Sequence, residues 1–441
     1  VAKQSQYEIT IEESRNEEKA FREIIPKTGL IGDYMRYTDR QESPGSFHFW
    51  TCLTLIGAIL QRRAWVSKGI YNVYPPLYMV LVAPTGRCRK TRAIRLGLEL
   101  VENFPWLNIM ADKTTPEALV QALMVGSDAM EKGKEEGEFT INFNLDNTGL
   151  IQAPELGLFL NKQSYTVGMV VLLTHLYDCP DKYKYLTRNK KPIILNNTAT
   201  SMLGGTTPDW LATSLPESAF GGGFMSRFVF VVSHVRDRWI TWPEEPVPGE
   251  KEALSRTISR IRATMRGKVA VEAEGRQWFD YWYKNLNVGP VEDTNLTGFI
   301  ERKPDTVLKM ALALAASDCR MVITLNDLKT ALALLDWTQK RMFKAFEHIE
   351  LSALGQIRLK VLEILEMEGE VSQRYLCRKL GGRLQNGLQT LKQVQDLMEA
   401  AGEVTVAYEM TTAGKRPTCM WFRRDSEAES EEQEDDDSKG S

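Results

Sequence analysis

The sequence predicts an α/β fold, a largely parallel sheet with helices on both faces, flanked by helical parts and closed by a small helix-and-hairpin unit. Three observations carry this. Short apolar runs at Leu77–Ala83, Asn108–Met110, Gly149–Ala153, Ile193–Leu203 and Phe228–Val232 alternate with helical stretches, the pattern of strands joined by crossover helices. Beyond Thr241–Gly249, which holds three prolines in nine residues, the apolar spacing becomes helical over Lys251–Arg266, Gly275–Leu286, Asp305–Ser317 and Leu325–Glu350. From Ala353 the order is helix (Ile357–Met367), short helix (Ser372–Leu380), helix (Arg383–Ala400) and two short strands, Val404–Tyr408 and Thr418–Phe422.

Taken in order, Val1 to about Phe21 is polar and charged and reads as a frayed arm or an isolated helix. Phe47–Gln61 is a buried helix, since its 15 residues fall short of a membrane span. These parts make up residues 1–65. The sheet occupies 66–240, with a helix at Lys90–Val101 and another opening at Pro116. An all-helical lid follows over 241–350. The last folded unit, 351–424, has the helix–helix–helix–hairpin order of a winged helix with a basic tip, Gly414-Lys415-Arg416-Pro417. Residues 425–441 form an acidic, disordered tail.

Composition narrows the function classes. With 441 residues, 43% hydrophobic and 26% charged, the chain has the make-up of a multi-domain globular protein. No apolar run reaches membrane-spanning length and no signal pattern opens the sequence, so no membrane partner and a cytoplasmic location are expected. The six cysteines (Cys52, Cys88, Cys179, Cys319, Cys377, Cys419) stand singly and apart from the four histidines, which argues against a disulfide framework or a zinc site. The tail holds nine acidic residues against one lysine, net −8, so the rest carries +5 of the overall −3. The folded part is mildly basic, which permits nucleic-acid contact.

The chemistry centres on Ala83-Pro84-Thr85-Gly86-Arg87-Cys88-Arg89-Lys90-Thr91, which follows an apolar strand and opens a helix. Such a turn aims backbone N–H groups and the positive end of a helix dipole at one point, which suits a polyphosphate. A lysine then neutralises the outer phosphates and a threonine hydroxyl ligates Mg²⁺, the places of Lys90 and Thr91. The strict pattern G-x-x-x-x-G-K-[ST] is not met, because its glycines fall on Pro84 and Arg89 and only Gly86 remains in the loop. The plain alternative is a basic strand-to-helix turn of no function.

Three further elements fit phosphoryl transfer. Glu155, after Gly149–Ala153 and Pro154, is placed to polarise an attacking water; its plain alternative is a helix N-terminal carboxylate. The metal-side aspartate usually found immediately before such a glutamate is replaced by Pro154, and Asp146 is a candidate helper from the preceding loop. Arg227, after Gly221-Gly222-Gly223, would stabilise charge on the γ-phosphate of a neighbouring subunit, or else form a structural salt bridge. Thr206 and Thr207 end another strand and would sense the γ-phosphate or simply close a turn.

The succession Phe47-His-Phe-Trp50, Leu77–Thr91, Ala111-Asp-Lys-Thr-Thr-Pro116, Ala153-Pro-Glu155-Leu, Leu176-Tyr-Asp178, Leu203–Asp209 and Gly223-Phe-Met-Ser-Arg227-Phe resembles the helicase-like ATPase domains of phage, plasmid and mobile-element primase–helicases over about residues 25–350. The resemblance implies a P-loop NTPase core of the AAA+/RecA-like kind, binding ATP and Mg²⁺ through Thr85, Gly86, Arg87, Cys88, Arg89, Lys90 and Thr91. Glu301–Ser317 with the following long helix looks like an AAA+ lid, from which Arg302 or Lys309 would reach the nucleotide. In the last unit Arg383, Gln385, Asn386, Gln389 and Lys392 on the third helix, with Lys415 and Arg416 at the wing tip, are side chains suited to phosphates and base edges. The function expected is an ATP-dependent DNA helicase or translocase of a mobile element, acting in replication as a ring, a hexamer by the resemblance, beside a primase or polymerase. The alternatives are an ATP-gated initiator or helicase loader with little hydrolysis, and a transcriptional regulator with a vestigial ATPase fold.

Overall fold

A five-stranded, all-parallel sheet organises the larger part of the chain. The computed structural model describes residues 11–110, 114–131, 146–160, 165–186, 192–208, 210–211, 223–236, 238–286, 294–381, 388–409 and 418–423. Contacts divide the chain into two units, Val1–Ala345 and Phe346–Ser441. The first opens with helices α1 (Ile11–Ile24), α2 (Gly29–Thr38) and α3 (Gly45–Leu60), then strands β1 (Ala64–Ser67), β2 (Asn72–Val73) and β3 (Tyr78–Val82). It continues with α4 (Lys90–Val101), β4 (Ile109–Met110), α5 (Pro116–Glu131), β5 (Thr148–Ala153), α6 (Leu156–Phe159) and α7 (Tyr165–Tyr177). Then come β6 (Lys182–Tyr185), β7 (Ile193–Asn196), β8 (Ala199–Thr206) and β9 (Phe228–Val232).

The sheet order is β4, β5, β8, β3, β9. Each neighbouring pair is parallel. The expected strand Ile193–Leu203 divides in two: β7 forms a separate hairpin with β6, and only β8 enters the sheet. Strands β3, β8 and β9 are buried at every position, as strands covered on both faces must be. Side-chain alternation identifies the covers. Met79 and Leu81 join the core built by α3 and α4, whereas Tyr78 points to the other face, its hydroxyl 3.3 Å from Leu173 O in α7. The chain therefore leaves β3 onto one face, through α4, and leaves β5 onto the other, through α6 and α7. The two exits flank β8 at the carboxyl ends of the strands, the place where open α/β sheets bind ligands.

Helix α3 is buried at all 16 positions. A helix apolar all round must be surrounded, and it is, by α1, α2, α4, the sheet and the helices Glu250–Thr264 and Thr294–Ser317. His48 within it is fully buried, and burial lowers its pKa to about 3, so the ring is neutral and plays a packing role. This packing corrects two expectations. Residues 241–350 are not all-helical, and their helices pack into the larger core: Leu254, Ile258, Ile261 and the stretch from Val307 to Leu335 share the core of α3. That region also carries short strands, Gly267–Lys268 paired with β1, and Ala270–Val271 paired with Val322–Ile323. Nor is α1 isolated, since Phe21 packs on Phe49 and Trp337, and Glu18 accepts hydrogen bonds from the Ser46 N–H and hydroxyl.

The second unit has its own core, from Ile357, Val361 and Leu365 through Leu376, Leu380, Leu391 and Met398 to Trp421. Its first helix is the end of Leu325–Glu368, so the expected helix Ile357–Met367 has no separate start. Glu370–Ser372, Thr418–Arg423 and Val404–Glu409 form an antiparallel sheet in that order. Between them lie the helices Gln373–Leu380, whose first turn is capped by Ser372 Oγ accepting from Tyr375 N–H at 3.3 Å, and Leu388–Ala400. Gln389 and Lys392 are exposed on the latter helix. Arg383, Gln385, Asn386, Lys415, Arg416 and the acidic tail lie outside the described residues. Among the described residues no helix is long and apolar enough to cross a membrane.

Candidate functional site

The loop after β3 begins with a hydrogen-bonded turn. Arg87 N–H donates to Pro84 O at 3.3 Å, closing a turn whose third residue, Gly86, has φ +70°. A type II turn needs that positive φ, and glycine adopts it without strain. Arg89, where the strict pattern has its second glycine, also takes a left-handed backbone, φ 52°. This costs on the order of 1–2 kcal/mol for a residue with a Cβ. Two contacts hold it: its guanidinium meets Glu42 Oε2 at 3.2 Å, and its carbonyl accepts from Ser43 Oγ at 3.3 Å. Glu42 also pairs with Arg236, which in turn donates to Arg87 O at 2.8 Å. Burial would raise the Glu42 pKa, but the Ile240 N–H, Arg89 and Arg236 hold it below the usual range.

Within the loop, Cys88 turns inward. It is fully buried with Sγ 3.5 Å from Ser233 O, and burial pushes its thiol up to about 12, which makes it structural. Thr85, Gly86 and Arg87 are exposed. Lys90 begins α4 and folds back so that Nζ donates to Ala83 O at 2.5 Å. Burial lowers its pKa, while Cys88 and Glu155 pull the other way, which places the Glu155 carboxylate within electrostatic reach. Thr91 is exposed.

Strand register sets three chain exits at one level. Val82 pairs with Thr206 and Ala153 with Gly204, so Pro84, Glu155 and Thr207 leave the sheet side by side. Close approach here depends on Gly205, where a Cβ would stand 2.7 Å from Pro154 O and 3.3 Å from Ile94 Cδ1. Glu155 occupies the N-cap position of α6 yet its side chain makes no capping bond, and it is exposed. Thr206 is buried, and Thr207 Oγ1 accepts from Trp210 N–H at 3.3 Å, closing the turn. Lys90, Thr91, Glu155 and Thr206 thus lie at the same end of the sheet, about the carboxyl end of β8.

Mg²⁺ fits this site only in part. Among the described residues the one carboxylate at the site is Glu155, the Thr91 hydroxyl stands nearby, Pro154 supplies no side-chain donor, and no group of three or more His, Cys, Asp or Glu side chains is arranged to hold a metal. Asp146 does not help, because it precedes β5 at the opposite end of the sheet and accepts from Asn197 Nδ2 at 2.9 Å.

Arg227 also stands at that opposite end. It immediately precedes β9, whose last residue Val232 pairs with Val82, so a whole strand, ~17 Å at 3.3 Å per residue, separates it from the loop of its own chain. It donates to Gly223 O at 2.7 Å and pairs with Asp178 at 3.1 Å. Arg302 shares Asp178 at 3.7 Å and donates to Ser226 Oγ at 3.2 Å. Lys309 is buried, donates to Pro76 O at 3.0 Å and lies 3.7 Å over the Tyr177 ring. Arg302 and Lys309, expected to reach the nucleotide from a lid, sit with Arg227 at the amino ends of the strands, away from the loop of their own chain.

No family model matches the chain, and no curated protein does. The resemblance in the motifs therefore stands on those motifs alone.

Sequence reasoning missed Glu42 and Arg236, whose pairing to the loop joins residues more than 190 positions apart. It also missed Trp239, 70% exposed with the Arg236 guanidinium 4.2 Å over its ring, an aromatic plane fixed beside the loop. The cluster Trp239-Ile-Thr-Trp242 was the one available signal.

Proposed function

We propose that this chain is an ATP-dependent motor on DNA, a helicase or translocase that works as a ring of identical subunits in the replication of a phage or mobile element. The observation that carries the reading is the convergence of Lys90, Thr91, Glu155 and Thr206 at the carboxyl ends of β3, β5 and β8. The core is read as a P-loop NTPase of the AAA+/RecA-like kind, and the second unit as a winged helix that docks on DNA.

In this reading the loop's N–H groups and the amino end of α4 face the β- and γ-phosphates, and Lys90 exchanges its bond to Ala83 O for a phosphate oxygen. Trp239 offers a face for the base. Mg²⁺ would be held through Thr91 and would supply charge neutralisation. Glu155 orients a water and takes its proton as the water oxygen bonds to the γ-phosphorus and the bond to the ADP oxygen breaks. Arg227 of a neighbouring copy meets the charge that develops on the transferred group. Asp178 holds that arginine in place until a neighbour's nucleotide competes for it.

Pro154 favours a second reading, an ATP-gated initiator or loader that binds nucleotide and scarcely turns it over. Phosphate release by the full chain, with and without single-stranded DNA, separates the two. The motor reading expects sustained turnover on the order of 1 s⁻¹ or faster, stimulated by the strand. Bound ATP that stays intact over many minutes in the presence of DNA contradicts it and leaves the switch.

A further inference from the structure

The small sheet beside the core presents a surface that none of the chemistry above uses. Strand β1 pairs in parallel with Gly267–Lys268 and antiparallel with β2. Ala64 and Val66 are buried, so Arg63 and Trp65 alternate to the outer side. Register sets Lys268 beside Trp65, and Arg266 one step back beside Arg63, where the Gly267 N–H donates to Arg63 O at 2.7 Å. On the β2 side the Tyr74 ring stands 6.5 Å from that of Trp65, with the Arg62 guanidinium 4.3 Å over it. Arg262 joins from the helix Glu250–Thr264, stacked 4.0 Å over Trp106.

Counter-charge is short along this row. Arg62 is paired with Asp181. Among the described residues, however, no carboxylate lies within ion-pair distance of Arg63, Arg262, Arg266 or Lys268. Arg262 donates to Ile59 O at 3.0 Å and Gln61 Oε1 at 3.3 Å, both uncharged. Burial, and then repulsion from Arg63 and Arg266, lower its pKa to about 10. Arg63 is lowered by burial and by Arg266, with Asp146 opposing, and its Nε is buried without an acceptor. Cations crowded in this way are relieved by an anion lying between them.

We propose that the strip formed by β1, β2 and Gly267–Lys268 binds single-stranded nucleic acid, with phosphates on Arg63, Arg262, Arg266 and Lys268 and bases stacked on Trp65 and Tyr74. Cations alone would take any phosphate. Aromatic faces interleaved with them select unpaired bases, because a duplex keeps its bases stacked on each other. The inference rests on the reading that the chain works on DNA, and it names where on the first unit the strand runs.

Fluorescence anisotropy of a labelled oligothymidylate with the full chain, in the absence of nucleotide and over a range of salt, tests it. The exposed pair Arg266→Glu with Lys268→Glu is expected to bind about 10-fold more weakly or worse, and to flatten the log–log salt slope by about 1.4, two contacts at 0.7 each. Trp65→Ala is expected to weaken binding by about 5- to 100-fold and leave the slope unchanged. Should Trp65→Ala fail to fold, the surface charge pair keeps the test. Variants that bind like the wild type overturn the proposal, as does a duplex or inorganic phosphate that competes as well as the single strand. ATP turnover in the same preparations separates the two claims. Wild-type turnover with unaltered DNA binding in the variants sinks only the strip; strip-dependent DNA binding by a chain that never binds ATP supports the strip and sinks the motor.

Discussion

Lys90→Ala is expected to abolish ATP hydrolysis and to weaken ATP binding severely. Lys90 opens the first turn of α4, and its Nζ is already at the loop, 2.5 Å from Ala83 O. Removing a charge-assisted contact to a desolvated anion costs about 3–5 kcal/mol, roughly 10²- to 10³-fold or more in affinity at 1.4 kcal/mol per decade. The fold should survive, because Lys90 is no member of the hydrophobic core. Titration with ATP and a phosphate-release assay check this together. A Lys90→Ala protein that hydrolyses ATP at the wild-type rate removes the loop from the chemistry.

Arg227→Ala is expected to leave ATP affinity nearly intact and to lower the turnover rate by about 10³- to 10⁵-fold, the range seen when an arginine supplied in trans is lost. A strand's length separates Arg227 from its own loop, so the arginine would act on a neighbouring copy's nucleotide. Mixing supplies the sharper check. Lys90→Ala subunits retain Arg227, and Arg227→Ala subunits retain Lys90, so in a mixed ring about a quarter of the interfaces regain both groups. Recovery of turnover on mixing two inactive preparations is the expected result. Continued silence, with mixed rings demonstrated, assigns Arg227 to the ion pair with Asp178 and nothing more.

Much of the sheet was legible because local patterns decide it. The strand Tyr78–Val82, the helix start at Lys90 and the strands at Ile109 and Phe228 follow from apolar runs meeting turn signals. What failed was long-range. The polar face of α1 reads as solvated until Glu18 is seen to accept from Ser46, and the helices after Gly249 read as a lid until their apolar faces are seen against α3. Arg302 and Lys309 carry no mark in the sequence of the end of the sheet they occupy. Arg63 and Arg266 look like scattered charges until the pairing of Ala64 with Gly267 brings them together. At the loop itself the glycine pattern is not met, and Arg89 takes a left-handed conformation with Glu42 and Ser43 in contact with it. A motif written in glycines cannot register that substitution.

The central claim is that nucleotide binds at the turn from Pro84 to Thr91 and is completed by a second copy of the chain. A structure of the full chain with a non-hydrolysable ATP analogue, Mg²⁺ and single-stranded DNA measures this most directly. The predicted result is a ring with the triphosphate against Lys90 and Thr91, Glu155 facing the γ-phosphate, and a neighbouring subunit's Arg227 released from Asp178 to meet it. A monomer under saturating analogue, or a nucleotide seated away from Lys90, would contradict the account.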